Sequence, residues 1–492
     1  MKRRHHDDSM SQKRMGEAHW VKSQAISLDY NYAMADFIGA PGLTDADLKG
    51  LIPRLVAVQQ QITADHQAGR LGFMDLPYNK DMVQEIKRVA KPYLEYVWHL
   101  VVLGIGGSAL GARALHQALC HPQHNLLPMA RKHYKPALWV LDNIDPDTIY
   151  NTLDALDLRR TIFNVISKSG STAETLAQFL WIYQVFKGRF ADKARDRVII
   201  TTDPEKGPLR HLASQQRFPS LNVPYNVGGR FSVLSHVGLF PAHMAGIDLE
   251  ELLAGARYMD QRLKQAPVEQ NLALNLAALC YLFATAKARP ILVIMPYASA
   301  LGGLAEWFCQ LWAESIGKKF SLDGSVVHTG STPVKAVGAT DQHSQLQLYM
   351  EGPPDKLIIF LEVEKFQHTL AIPDLYPDRE SLHYLGGHSI NDLLKWECQA
   401  TAFNLRQAGR PSLTLRLPEI NAFTIGQLIY LLEVATVAAG GLFGVNPLDQ
   451  PGVEGGKKTT YGLMGRPGFE QFRQEFQEAT PSREDYVLKW TP

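Results

Sequence analysis

The sequence predicts an α/β protein with mainly parallel sheets, and two observations predict it. Short continuous runs of apolar residues, rich in Val, Ile and Leu, alternate with longer stretches of helical spacing. Such runs are typical of parallel strands that are buried on both faces. Loops rich in Gly, Ser and Thr follow the first and third runs. Because ligands of open parallel sheets bind at the carboxyl ends of the strands, these loops are where we expect the functional site.

Four strands are predicted in the first half of the chain, with helices after the first and the third. The strands cover residues 98–103, 137–141, 162–166 and 198–202, and the helices cover 109–119 and 172–186. This strand–helix–strand order predicts right-handed crossovers between parallel strands.

The same rhythm recurs in the second half. Strands are predicted at 291–295, 357–361 and 413–417, and helices at 299–316, 389–408 and 425–443. A helical stretch at 249–276 links the halves. The sequence therefore predicts an N-terminal arm (1–44), a first α/β domain (45–255), a second α/β domain (256–445) and a C-terminal tail (446–492).

The helix predicted at 425–443 is the most apolar stretch of the chain. Glu433 lies at its middle, and a carboxylate is costly in lipid. We therefore expect a buried core helix rather than a membrane span.

The composition excludes several classes of protein. Of 492 residues, 46% are hydrophobic and 20% are charged, which is ordinary for a globular protein and unlike a disordered chain, a collagen or a coiled coil. Fifty basic residues balance 49 acidic ones, so net charge favours neither nucleic acid nor a membrane as partner. Four cysteines without a C-x-x-C pair, and an N-terminus without a secretory signal, predict a reduced, cytoplasmic protein.

The loop at 104–111 (GIGGSALG) follows a predicted strand and precedes a helix. Its glycines, Gly107 among them, let the backbone approach a ligand, and the N–H groups of the helix start favour an anion near Ser108. Ala109 replaces the last glycine of the dinucleotide fingerprint, and no P-loop spacing is present. The alternative is a tight turn that binds no ligand.

The loop at 167–175 (SKSGSTAET) carries hydroxyls where the first carries glycines. Ser171 and Glu174 have the spacing of a capping box, which predicts that the helix begins at Ser171. Ser167, Ser169 and Thr172 then donate to the oxygens of a phosphate monoester. The alternative is a hydroxyl-rich cap that binds only water.

Candidates for acid–base chemistry follow two further motifs. In GGRFS (228–232), a Gly-Gly turn presents Arg230, which can stabilise a developing oxyanion. Gln310 and Glu314 share one face of a helix, and Glu314 lies in its last turn. The negative end of the helix dipole predicts that the pKa of Glu314 is raised, as a general base near neutral pH requires.

Two further residues are weaker candidates on their own. His343 is one of 17 histidines, and Lys457 ends a Gly-rich polar stretch. No cluster of His, Cys and carboxylate residues with metal-ligand spacing is recognised in the sequence. We therefore predict a site without a metal or another cofactor.

The order of these motifs along the chain is similar to that in a known family. GIGGS, SKSGSTAET, GGRFS, ESIGK, QH and DQPGVEGGK occur in this order between residues 103 and 457. The series resembles the glucose-6-phosphate isomerase (phosphoglucose isomerase) family. The resemblance implies two sugar-isomerase (SIS) α/β/α domains and interconversion of glucose 6-phosphate and fructose 6-phosphate.

The resemblance also implies roles for individual residues. Glu314 matches the base that moves a proton between C2 and C1, and Arg230 matches the arginine that stabilises the enediolate. His343 matches the ring-opening histidine, which the family supplies to the neighbouring subunit of a homodimer, and Lys457 matches a lysine near the ring oxygen. The implied substrate contacts are Gly107, Ser108, Ser167, Lys168, Ser169, Ser171, Thr172, Gly229, Gln310 and Gln450.

Two positions depart from the family's usual pattern. Tyr225 stands where an acidic residue commonly precedes GGR, and Leu448 where an aromatic residue commonly precedes DQ. Neither replaces a catalytic group. The sequence leaves open an isomerase of another hexose phosphate, such as mannose 6-phosphate, and a sensor of sugar phosphates without activity. A P-loop kinase is excluded for want of its phosphate loop.

Overall fold

The computed structural model describes residues 17–479 and 482–490. One compact unit ends at Pro447, and a smaller one begins at Leu448. The strands are β1 (Ser27–Asp29), β2 (His99–Leu103), β3 (Ala137–Leu141), β4 (Thr161–Ser167), β5 (Val198–Thr202), β6 (Ser220–Asn222), β7 (Ile291–Pro296), β8 (Lys318–Phe320), β9 (Val326–Thr329), β10 (Thr332–Lys335), β11 (Lys356–Lys365) and β12 (Ser412–Glu419).

The helices are α1 (Ala18–Ser23), α2 (Ala35–Ile38), α3 (Asp45–Gln67), α4 (Lys80–Ala90), α5 (Leu110–Leu119), α6 (Pro146–Asp154), α7 (Ala173–Phe190), α8 (Pro208–Gln216), α9 (His236–Ala245), α10 (Leu249–Gln265), α11 (Leu272–Thr285), α12 (Gly302–Ile316), α13 (Leu346–Glu351), α14 (Glu380–His383), α15 (Ile390–Gln407), α16 (Ala422–Phe443), α17 (Glu454–Leu463) and α18 (Glu470–Glu478).

The first sheet has the strand order β3-β2-β4-β5-β6, and every pair in it is parallel. All seven residues of β4 are buried, because helices cover both faces of the sheet. Alternate residues of β2 and β4, such as Val101 and Phe163, pack with Phe186 of α7 in one core cluster. This burial explains why the strands are continuous runs of apolar residues in the sequence. The predicted α/β fold class is confirmed.

The second sheet has the order β1-β12-β11-β7-β10. Its strands are parallel except β1, which pairs antiparallel with β12. Thus β1, from the predicted N-terminal arm, forms an edge of this sheet, and Arg416 of β12 donates to Asp29 at 2.7 Å. The boundaries of the two predicted α/β domains remain a prediction.

Helix α16 is the central helix of the larger unit. It passes the length and hydropathy criteria for a membrane span, but its apolar window is wholly buried inside the protein, as the core-helix prediction requires. Its backbone lies against α10: a Cβ at Gly255 would come within 1.8 Å of Phe423 O, and one at Gly426 within 1.9 Å of Leu252 O. Glycine at both positions therefore sets the helix separation.

Two predicted helices differ from the structure. The stretch at 249–276 is not one helix: α10 ends at Gln265 and α11 begins at Leu272, because Pro267 cannot continue the first. Helix α7 begins at Ala173 rather than at Ser171, and the side chain of its N-cap residue, Thr172, makes no capping hydrogen bond. The predicted Ser171–Glu174 capping box is wrong.

Candidate active site

Glu314 lies in the last turn of α12, and its side chain is 33% exposed. Gln310, one turn earlier on the same face, donates from Nε2 to Glu314 Oε1 at 2.9 Å. Arg230 donates from Nη1 to Glu314 Oε2 at 3.2 Å. Each carboxylate oxygen therefore has its own donor, which fixes the direction in which the carboxylate faces.

Arg230 is delivered by the short 3₁₀ helix Gly229–Phe231, and its side chain is only 2% exposed. Its Nε donates to Ser315 Oγ at 2.7 Å, and its Nη2 donates to Pro447 O at 2.5 Å. Trp307 Nε1 donates to the Arg230 carbonyl at 3.0 Å. The guanidinium is thus bound on several sides, so it is preorganised for charge that develops beside Glu314.

The glycine-rich loop lies directly against these groups. Gly106 has a φ of +56°, and a Cβ there would come within 2.8 Å of Gln310 Nε2. A Cβ at Gly107 would lie 2.3 Å from Gly229 O. Only glycine permits this approach. The structure therefore brings together the loop with Ser108, the Gly-Gly-Arg turn and the end of α12.

The hydroxyl-rich loop links its own side chains. Ser167 Oγ and Thr172 Oγ1 are 2.8 Å apart, and Ser171 Oγ donates to Ser169 Oγ at 3.1 Å. Thr172 is the N-cap of α7, but its hydroxyl faces Ser167 instead of the backbone. The first-turn N–H groups of α7 therefore receive no capping hydrogen bond from the Thr172 side chain, and this arrangement suits an anion.

Lys168 connects the hydroxyl-rich loop to the segment before Arg230. Its Nζ donates to Tyr225 O at 2.9 Å and to Val227 O at 2.7 Å. Burial lowers the pKa of Lys168. The sequence suggested a substrate contact for Lys168, and the structure adds this link between two loops.

His343 follows the 3₁₀ helix Thr340–Gln342 and is exposed. Within the described part of the chain its imidazole makes no hydrogen bond or ion pair, so the structure does not join it to Glu314 in this way.

Lys457 and Gln450 belong to the smaller unit, and both are exposed. Lys457 lies in α17 and donates to Glu454 Oε1 at 2.8 Å. Gln450 immediately precedes the 3₁₀ helix Pro451–Val453.

Three residues that the sequence pattern did not indicate support the site. Ser315 and Trp307 orient Arg230, and Lys318 donates to the carbonyls of Glu314 and Ser315 at 2.6 and 3.1 Å. Lys318 therefore caps the end of α12 and places a second cation near the Glu314 backbone. Lys318 lies four residues after Glu314, a spacing that could have indicated this cap.

A group of possible metal ligands lies outside this site. His116, Cys120 and His124 each offer a ligand atom, and these atoms lie within 4.8 Å of one another. The expectation that no such cluster exists is wrong, because the i, i+4 spacing of His116 and Cys120 brings the two side chains to one face at the end of α5.

Comparison with known proteins decides the family. A sequence model of phosphoglucose isomerase matches residues 80–482. The chain belongs to the phosphoglucose isomerase family. Among its phosphoglucose isomerase relatives, a glucose-6-phosphate isomerase of Carboxydothermus hydrogenoformans is 44% identical over 452 residues, covering 92% of this chain and 97% of the relative. One of Rubrobacter xylanophilus is 46% identical over 434 residues, covering 87% and 96%.

Solved structures share the phosphoglucose isomerase fold of this chain. A hypothetical protein of Thermus thermophilus has a TM-score of 0.79 and 36% identity, covering 90% of this chain and 100% of that one. A glucose-6-phosphate isomerase of Chlamydia trachomatis has a TM-score of 0.67 and 24% identity, covering 81% and 77%.

Proposed function

We propose that this member of the family is a glucose-6-phosphate isomerase that interconverts glucose 6-phosphate and fructose 6-phosphate in glycolysis and gluconeogenesis. The observation that carries the proposal is the Glu314 carboxylate between the Gln310 amide and the Arg230 guanidinium. A base beside a fixed cation, next to two loops suited to phosphate, is what an aldose–ketose isomerase requires. Family membership and relatives of that name support the same reaction.

Glu314 is the general base in this mechanism. It removes the proton from C2 of the open-chain sugar and returns it to C1. Negative charge develops on the cis-enediolate between the two steps, and Arg230 stabilises it. The Arg230 contacts to Ser315 and Pro447 keep the guanidinium in place, so no reorganisation is needed as the charge appears.

Binding of the phosphate group orients the substrate. The hydroxyls of Ser167, Ser169, Ser171 and Thr172 and the start of α7 receive the phosphate group, with Gly107, Ser108, Gly229 and Lys168 as further contacts in the proposal. Gln450 stays a substrate contact that the family resemblance implies. Because the phosphate is remote from C1 and C2, its binding energy positions the open chain for proton transfer.

Ring opening involves the two remaining candidates, His343 and Lys457. His343 protonates the ring oxygen, with Lys457 assisting. His343 is exposed and unpaired within the described chain, which favours its action in the site of a neighbouring subunit. We therefore propose a homodimer. We also place the enzyme in the cytoplasm, in keeping with four cysteines outside disulfides.

A coupled assay tests the reaction. Purified protein receives fructose 6-phosphate with excess chelator and without added metal, and a dehydrogenase reports glucose 6-phosphate as NADPH. Robust turnover is expected. Binding of the sugar phosphate without turnover would contradict the proposal and favour a mannose 6-phosphate isomerase or a regulatory protein. Mannose 6-phosphate as substrate separates those two.

A further inference from the structure

Three metal-ligand side chains meet at the end of α5 that is remote from the glycine-rich loop. His116 lies in the last turn of α5, Cys120 is its C-cap, and His124 begins the next 3₁₀ turn. One ligand atom from each lies within 4.8 Å of the others. None of the three takes part in the proposed isomerisation.

The two imidazoles are already arranged as ligands. His124 Nε2 lies 2.9 Å from Pro136 O, and because a carbonyl only accepts, Nε2 carries the proton and Nδ1 keeps its lone pair. Histidines that bind metals commonly make such an outer hydrogen bond to a carbonyl. His116 Nε2 is buried and has no hydrogen-bond partner in the described structure, although a buried polar atom without one is costly.

The charges around the cluster partly oppose and partly favour a cation. Lys132 is buried nearby, and burial together with this charge lowers the pKa of His124. Burial lowers the pKa of His116 and raises that of the Cys120 thiol. A metal-bound Cys120 thiolate offsets Lys132, and the carboxyl end of α5 favours positive charge.

We propose that His116, Cys120 and His124 bind a Zn²⁺ ion, with water as the fourth ligand. A nitrogen–nitrogen–sulfur set suits zinc and excludes Mg²⁺ and Ca²⁺, which prefer oxygen. Zn–N and Zn–S bonds of about 2.0–2.3 Å place tetrahedral ligand atoms roughly 3.3–3.7 Å apart, so the side chains close by about 1 Å on binding.

The ion would join the end of α5 to the loop before β3. The ten residues of α5 span about 15 Å, which separates the ion from the glycine-rich loop at the other end. The zinc ion therefore stabilises the contact between the end of α5 and the loop before β3, and it takes no part in isomerisation.

Cobalt titration of the full chain tests the site. Metal-free protein is titrated with Co²⁺, and one equivalent is expected to give tetrahedral visible bands and a thiolate-to-cobalt charge-transfer band, which Zn²⁺ then removes. Cys120→Ser is expected to lose the charge-transfer band. It should also weaken Zn²⁺ binding by more than the ~10–100-fold that loss of an outer hydrogen-bond partner costs.

Matched variants serve as controls for the cobalt titration. Cys309→Ser removes another half-buried thiol and is expected to retain the band. His5 and His6 lie outside the described residues, and their joint replacement by Ala is expected to leave the band unchanged. His116→Asn provides a second ligand variant, with circular dichroism and isomerase turnover as checks of folding.

The wild-type spectrum and melting temperature decide the outcome. Zn²⁺ is expected to raise the Tm of the wild type and not that of Cys120→Ser, while kcat is the same in both. Absence of a stoichiometric cobalt–thiolate band in the wild type, or its persistence in Cys120→Ser, would overturn the proposal.

Discussion

Arg230 and Glu314, the proposed enediolate-stabilising cation and the proposed base, form an ion pair whose two side chains differ in exposure. The arginine is 2% exposed and the glutamate 33%, so the cation is fixed in the protein while the carboxylate faces solvent. Burying a guanidinium is costly unless its donors are paired, and Ser315 and Pro447 supply acceptors. The carboxylate is thereby the half of the pair that is accessible to a substrate.

Glu314→Gln is expected to reduce kcat for fructose 6-phosphate by about 10²–10⁴-fold, because an amide cannot accept the C1 proton of this substrate and deliver it to C2. KM should change little, since Glu314 is not among the phosphate contacts. Steady-state kinetics in the coupled assay measures both constants. Glu306→Gln is the matched control on the same helix: Glu306 pairs with Arg113 and Lys335, and its replacement should leave kcat unchanged. Near-native turnover of Glu314→Gln would contradict the assignment of the base.

At the scale of elements, the buried strands could be predicted from the sequence and the partly buried edge strands could not. β4 is buried along its whole length, and its continuous apolar run was recognised. β1 and β10 have three and four residues, each only partly buried, and they were missed because no apolar run marks them. Their place is set by pairing with β12 and β7, which the local sequence does not encode.

Lys168→Met is expected to separate the hydroxyl-rich loop from the Gly-Gly-Arg turn. The methionine cannot donate to Tyr225 O and Val227 O, so the turn that carries Arg230 loses a fixed neighbour. We expect KM to rise and kcat to fall by about 10- to 100-fold, as small misplacements of catalytic groups do. Lys187→Met, at an exposed lysine of α7, is the control and should behave as the wild type. A change in KM alone would show that Lys168 acts only on the phosphate.

Helix α16 carries a carboxyl group whose two oxygens have no partner within the described residues. Burial raises the pKa of Glu433 well above its ordinary value of 4.5. The folded protein therefore keeps the proton while the unfolded chain loses it. The sign follows: as pH rises above 4.5, this group lowers stability, by up to about 1.4 kcal/mol per pH unit, until its folded pKa is reached.

Glu433→Gln removes that titration and keeps the side-chain volume. The gain in free energy of unfolding over the wild type is expected to be small near pH 5 and larger near pH 8. Urea unfolding at both pH values measures it. A gain that is the same at both would contradict the buried, protonated state of Glu433.

At the scale of the whole molecule, the sequence predicted the candidate residues of the site, but it did not predict the contacts between them. Arg230 and Glu314 are 84 residues apart, and their pairing depends on how α12 packs against the first sheet's loops. The resemblance identified both residues. It did not predict that they contact each other or that Lys168 donates to the segment before Arg230, because such contacts depend on the exact geometry of the loops. Lys457 and Gln450 stay predictions.

The proposed sharing of His343 between subunits makes a prediction about mixed dimers. Glu314→Gln and His343→Ala are each expected to be nearly inactive as homodimers. In a mixed dimer, one site combines an intact Glu314 from one subunit with an intact His343 from the other, and the second site carries both changes. Subunits that are co-expressed in equal amounts and assort at random should therefore recover about a quarter of wild-type activity, because about half of the dimers are mixed and each has one intact site.

Differently tagged subunits allow the mixed dimer to be purified and assayed, with tagged wild-type dimers as the reference. Recovery requires both a dimer and a histidine that crosses between subunits. If the mixed dimer forms and stays as inactive as its parents, His343 acts within its own chain. The exposed imidazole, without a partner in the described chain, favours recovery.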